Sequence, residues 1–188
     1  MTKKTKCLKA TVAVLSVVLA MLIGVVGTLA YLKDSTNPVV NTFTTSDVDI
    51  TLTETTGSEY KMVPGADIEK DPKVTVLANS EACYVFVKVE KSINFDTYVE
   101  YTMAAGWTEV PDVPGVYYRQ VSASATDQPF DVLQNNQVTV NSSVTKTDME
   151  SVKGNLPTLT FTAYAIQSEN LDTTVMAVIW NMAQGQQG

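Results

Sequence analysis

Residues 82–91 read Ala82-Cys83-Tyr84-Val85-Phe86-Val87-Lys88-Val89-Glu90-Lys91, and their alternation decides the fold class. Cys83, Val85, Val87 and Val89 recur at every second position, so in an extended chain they share one face. Tyr84, Phe86, Lys88 and Glu90 share the other face, aromatic at one end and charged at the other. A helix would scatter both sets. The stretch therefore reads as a strand, buried on its valine face and partly covered at the aromatic end of its second face. That places it centrally in a sheet.

The same period of two extends in both directions. Towards the N-terminus, Lys73–Asn79 reads as a strand. Before it, Val48, Ile50 and Leu52 oppose Asp47, Asp49, Thr51 and Thr53, the pattern of a half-buried strand with one wet face. Gly57 and Ser58 end that pattern, and Lys61-Met62-Val63-Pro64-Gly65 is a turn in which Pro64 presets φ and Gly65 accepts a positive one. Towards the C-terminus, Ile93–Ala105 is open between strand and a short irregular segment. Gly106-Trp107-Thr108 and Gly115–Val121 read as a hairpin joined by Pro111-Asp112-Val113-Pro114-Gly115. Residues 122–129 are small and polar, hence a loop, and Gln137–Val140 is a short strand.

Thr147–Lys153 suits one or two helical turns, with Thr147 as N-cap and Glu150 three residues on. Leu159, Phe161, Ala163 and Ala165 alternate with Thr160, Thr162 and Tyr164 in a last long strand that ends near Gln167. Beyond it Leu171, Val175, Val178, Ile179 and Met182 recur at three- and four-residue spacing. This predicts an amphipathic helix beginning near Asp172, a lid on the sheets with Trp180 packed into the core. Seven to nine short strands, turn signals between them and no alternating βα pattern point to an all-β antiparallel sandwich with a short C-terminal amphipathic helix.

A different grammar governs the N-terminus. Lys3, Lys4, Lys6 and Lys9 precede 23 uncharged residues that run to Lys33, long enough to cross a bilayer as a helix. Thr28-Leu29-Ala30 before Tyr31 puts small residues at −3 and −1 of a cleavage site, and Gly24 and Gly27 loosen the helix upstream. The reading is an N-terminal signal helix over 1–30, cleaved after Ala30 by a signal peptidase. A leader over 31–41 and a β-domain over 42–188 follow. The membrane is met only through the signal segment, before cleavage, and the product is secreted. A retained signal anchor is the competing reading.

Cleavage removes four lysines and no acid, so the net charge moves from −7 to about −11. So acidic a chain repels nucleic acid and anionic lipid, and neither is expected as a partner. The chain contains no histidine. Histidine-based zinc sites, Ser-His-Asp triads and imidazole acid–base catalysis are therefore excluded. Asp67, Glu69 and Asp71, spaced by two, are weak candidates for a hard-cation site and read better as a solvated loop. No cofactor is implied. After cleavage Cys83 is the single thiol, expected buried and inert, with an intermolecular bridge as the alternative. Tyr31, Leu32, Val39, Val40 and Phe43 are apolar. They either fold back on their own domain or add as a strand to a neighbour.

Several stretches in order, GTLAYLKDSTNPVVNTFTTSDVDITLTE (27–54), YKMVPGADIEKDPKVTVLANSEACYVFVKVE (60–90), GWTEV (106–110), GVYYRQV (115–121) and LTFTAYAIQSEN (159–170), resemble the TasA/camelysin (CalY) family of exported Gram-positive proteins. Ser46 stands where many relatives have glycine. The resemblance implies a jelly-roll-like β-sandwich and export through a dedicated signal peptidase acting at Thr28, Ala30 and Tyr31. In fibre-forming members the N-terminal segment pairs with the sheet of the next subunit, which here makes Tyr31–Asn41 the donated segment, with Tyr31, Leu32, Val39 and Val40 in it. The expected function is that of a structural subunit of a cell-surface or biofilm-matrix fibre, partnered by itself or by related matrix subunits. The alternatives are a monomeric surface-associated binding module and a metallo-endopeptidase, as some members have been described.

Overall fold

The strand over 82–91 is the centre of the molecule. In the computed structural model, which describes residues 47–57 and 59–185, β4 (Cys83–Lys91) lies antiparallel between β10 (Leu159–Gln167) and β7 (Val116–Val121), and β6 (Thr108–Glu109) completes that four-stranded sheet. Cys83 stands opposite Val121 on one side and Gln167 on the other. The signal segment, the leader and the sites expected on Thr28, Ala30, Tyr31, Leu32, Val39 and Val40 lie outside the described residues.

A second sheet, in the order β1 (Ile50–Thr53), β3 (Lys73–Val76), β8 (Gln128–Asp131), covers the valine face of β4. Val74 and Val76 meet Cys83, Val85, Val87 and Val89 there, all between 0% and 6% exposed, with Ile50, Leu52, Phe130, Leu159 and Phe161 around them. Each such side chain stabilises the fold by about 1.5–3 kcal/mol relative to leaving it in water. The fold is thus mostly β, with antiparallel pairing throughout and a short C-terminal helix.

That helix, α3 (Met176–Gly185), covers the other face of β4 at its aromatic end. Trp180 packs its ring 5.5 Å from Phe86 and 4.8 Å, edge-on, from Tyr164. Lys88 and Glu90, further along the same face, stay in water and pair at 2.8 Å. The lid and the burial of Trp180 agree with the sequence reading, but the helix starts four residues later than Asp172 and buries only part of the expected stripe. Ile179, Trp180 and Ala183 are buried, whereas Val175, Val178 and Met182 are 57%, 41% and 47% exposed. The reason is physical: two large rings, Phe86 and Tyr164, demand a large partner, and only Trp180 fills that gap, so the helix rotates to bring it inward.

A third sheet, β2 (Asp67–Glu69), β9 (Gln137–Val140), β5 (Val99–Glu100), closes a separate core with Phe95, Tyr98, Leu133, Val144 and Val152. The segment open in the sequence, 93–105, becomes the single turn α1 (Phe95–Tyr98), β5, and a bridge from Met103 to Leu133. The helix expected at Thr147 begins instead as α2 (Lys146–Ser151), capped by Thr145. The Asp148 amide donates to the Thr145 hydroxyl and the Thr145 amide donates to the Asp148 carboxylate, a reciprocal box. An aspartate three residues past a threonine serves as well as the glutamate that the other frame offered.

Two further corrections concern strands. Residues 128–131, partly assigned to a loop, form β8, and Asp67–Glu69, read as loop, forms β2. The strand expected over Lys73–Asn79 stops at Val76, where Asn79 turns through φ 68°. The turns keep their chemistry. Gly65 has φ +77° with the Ala66 amide donating to the Val63 carbonyl, and in 110–116 Pro111 and Pro114 each precede a positive φ, at Asp112 and Gly115. Those two successive turns return the chain so that the Val110 amide reaches the Val116 carbonyl at 2.8 Å.

Candidate functional site at the sheet margins

A β-protein without histidine offers its strand edges as its main chemistry, because each edge presents backbone donors and acceptors to whatever comes alongside. The described edges differ greatly. β5 and β6 are two residues long and β2 three, too short to template another strand. β8 carries Pro129, which has no N–H to donate. β1 has four residues. β10 has nine and ends the four-stranded sheet.

β1 lies against β10, so the longest described edge shares one margin of the two-sheet core with β1. There β10 turns Leu159, Phe161, Ala163 and Ala165 inward to the core, and Thr160, Thr162 and Tyr164 to the opposite face. Leu159 and Phe161 are only half-buried. Among the described residues the margin therefore carries half-buried apolar side chains.

One end of this margin is held by a polar cluster. The Lys70 ammonium sits 2.6 Å from Glu54 Oε1, and 5.4 Å and 5.6 Å from the ring centres of Tyr60 and Phe161. Its side chain is 10% exposed, that of Glu54 27%. The Tyr60 hydroxyl donates to the same Glu54 oxygen at 2.9 Å, and burial first, with Glu54 contributing, raises the phenol's pKa. Asp71 accepts from the Thr55 amide at 2.8 Å and the Thr56 amide at 3.1 Å, and from the Thr55 hydroxyl. Those bonds, the Thr55 hydroxyl foremost, hold its carboxyl well below the usual range. The cluster straps the chain leaving β1 onto the link between β2 and β3. It is a positioning device: every member is engaged, and none is a nucleophile beside a base.

The other margin is closed from within. The guanidinium of Arg119, on β7, lies 3.9 Å from the Phe130 ring centre and 5.1 Å from that of Trp107. The Trp107 indole N–H donates to the Asp131 carbonyl at 2.8 Å, tying the β6 hairpin to β8. Gly106 makes room for it: a Cβ there would stand 2.6 Å from Arg119 Nη2. Neither Lys70 nor Arg119 stood out in the reading by strand periodicity. One signal was available for the second, since Arg119 is the single arginine of the chain.

The three acids considered for a cation go separate ways. Asp67 accepts from the Thr139 hydroxyl across the β2–β9 pair at 2.7 Å, Glu69 is exposed on β2, and Asp71 is bound to Thr55 and Thr56. Among the described residues no group of three or more His, Cys, Asp or Glu side chains is placed to hold a metal ion. Cys83 is fully buried in the two-sheet core, and burial pushes its thiol up to about 11. A polar hollow of about 210 Å³, lined by Glu100, Gln134, Gln137 and Thr139 among others, lies over the third sheet. Among the described residues no helix is long and apolar enough to cross a membrane. No family model matches the chain, and no curated protein or solved structure matches it either.

Proposed function

We propose that this chain is an exported structural subunit of a cell-surface or matrix fibre, a jelly-roll-like β-sandwich of the TasA/camelysin kind. Its residues 31–41 add as a strand beside β10 of a neighbouring copy. The observation that carries this reading is β10 itself. It is nine residues long, alternates apolar and polar, and borders a core whose half-buried Leu159 and Phe161 an added strand would cover. The N-terminal segment supplies matching side chains in Tyr31, Leu32, Val39 and Val40. Main-chain hydrogen bonds would give the affinity, and the alternating side chains the register.

Light scattering and electron microscopy on residues 31–188 at rising concentration test this. Ordered polymers that disappear when residues 31–41 are deleted are the expected result. A chain that stays monomeric under every condition would instead favour a binding module built on the same sheets.

A further inference from the structure

We propose that Arg119 is a recognition site for a carboxylate, supplied by an acidic side chain of a second copy of this chain. The site stands at the margin opposite β10, so the inference is independent of whether residues 31–41 add to that strand. Twelve of the thirteen basic residues are lysines, and the four ion pairs among the described residues all use lysine. The single guanidinium is reserved for a place where a lysine would not serve. It lies 3.9 Å from the Phe130 ring centre and 5.1 Å from that of Trp107, with Nη2 beside Gly106, and no ion pair among the described residues uses it.

Among the described residues no carboxylate comes within 4 Å of it: Asp131, whose carbonyl accepts from the Trp107 indole, turns its carboxylate to Lys73 at 3.3 Å. Burial between the rings also lowers the pKa of the guanidinium, the mark of a cation stripped of part of its water without a counter-charge in place. A planar, partly desolvated fork of N–H donors is complementary to one ligand above others, a carboxylate bound through two oxygens. The chain itself is the abundant source, with 20 acids against 13 bases. Indole and phenyl walls around an arginine are also the composition that dominates interface energetics.

Because only one arginine exists, its guanidinium gives one side-chain arginine signal in a nitrogen-15 spectrum, readable without assignment. All three described cores are built from residues beyond Asp47, so the chain 31–188 is the material to use. Acetate is the probe, titrated at constant ionic strength against chloride, alongside a dilution series without acetate. The expected result is a saturable shift with acetate, a shift with protein concentration, and reversal of the second by the first. Arg119→Gln keeps a planar group between the rings but removes the charge. Arg119→Lys keeps the charge but removes the fork. Each should weaken self-association at least about tenfold, the scale of a charge-assisted hydrogen bond, in sedimentation runs at temperatures where the melting curve shows the variant folded. A signal that ignores both acetate and dilution overturns the site. A response to acetate without any to dilution overturns the second copy as its source. Should both variants fail to fold, the wild-type titrations alone decide.

Discussion

The two margins of one core are finished in opposite ways. At the β6–β8 side the edge strands have two and four residues, a proline removes a donor, and an arginine stacked on aromatic rings plugs the gap. At the β1–β10 side the strands have four and nine residues, and the polar cluster around Lys70 ties down one end. Both margins belong to the same valine core, so the difference is not one of fold. It lies in how each edge treats an arriving strand: the first discourages addition by the usual protective devices, and the second keeps length and alternation.

The largest effect should come from opening the closed margin. Trp107→Ala removes a 9%-exposed ring and leaves the Asp131 carbonyl without its donor. A loss of about 3–5 kcal/mol is expected in denaturant melts. Lys70→Ala strikes the other margin. It leaves Glu54 without its ammonium and should cost about 2 kcal/mol, less than a fully buried pair because Glu54 keeps part of its side chain in water and the Tyr60 hydroxyl as a donor.

A smaller effect separates the margins by pH. Asp71 is held below the usual carboxylate pKa in the folded chain, so its contribution is complete above the ordinary value of 3.8 and fades as pH falls through the lower folded value. Asp71→Asn should flatten the acid limb of a plot of melting temperature against pH while leaving the neutral region little changed. The smallest effect is an absence of one. In residues 31–188 the thiol of Cys83, buried and raised to about 11, should react with a disulfide reagent at pH 8 only as fast as the domain opens.

How much of this was legible in the sequence depends on how local the cause is. β4, β9 and β10 were readable because alternation is written in each strand separately, and the 110–116 hairpin because Pro111 and Pro114 carry their turn geometry with them. β2 and β8 were not. They have three and four residues, one includes a proline, and each exists because a neighbouring strand pairs with it along its whole length. The buried stripe of α3 was read only in part for a related reason. Spacing picked out Leu171 and Ile179, which are packed, but also Val175, Val178 and Met182, which are exposed, because Phe86 and Tyr164, distant in sequence, set the helix by Trp180. Of the site, the edge character of β10 was not visible, since edge or centre is a property of the assembled sheet. The cradle of Arg119 joins β7, β8 and the turn at Gly106, and only the rarity of arginine hinted at it.

The central claim, that residues 31–41 of one copy lie beside β10 of another, is tested most directly by cysteine cross-linking between two variants. Val40→Cys and Thr162→Cys, each made in the chain 31–188 and each keeping the buried Cys83, are mixed and oxidised gently. A disulfide-linked dimer containing one chain of each variant, absent when either is oxidised alone, is the predicted result. If the bond forms only when both cysteines are placed in one chain, and never across the mixture, the segment folds back on its own domain and strand donation is contradicted.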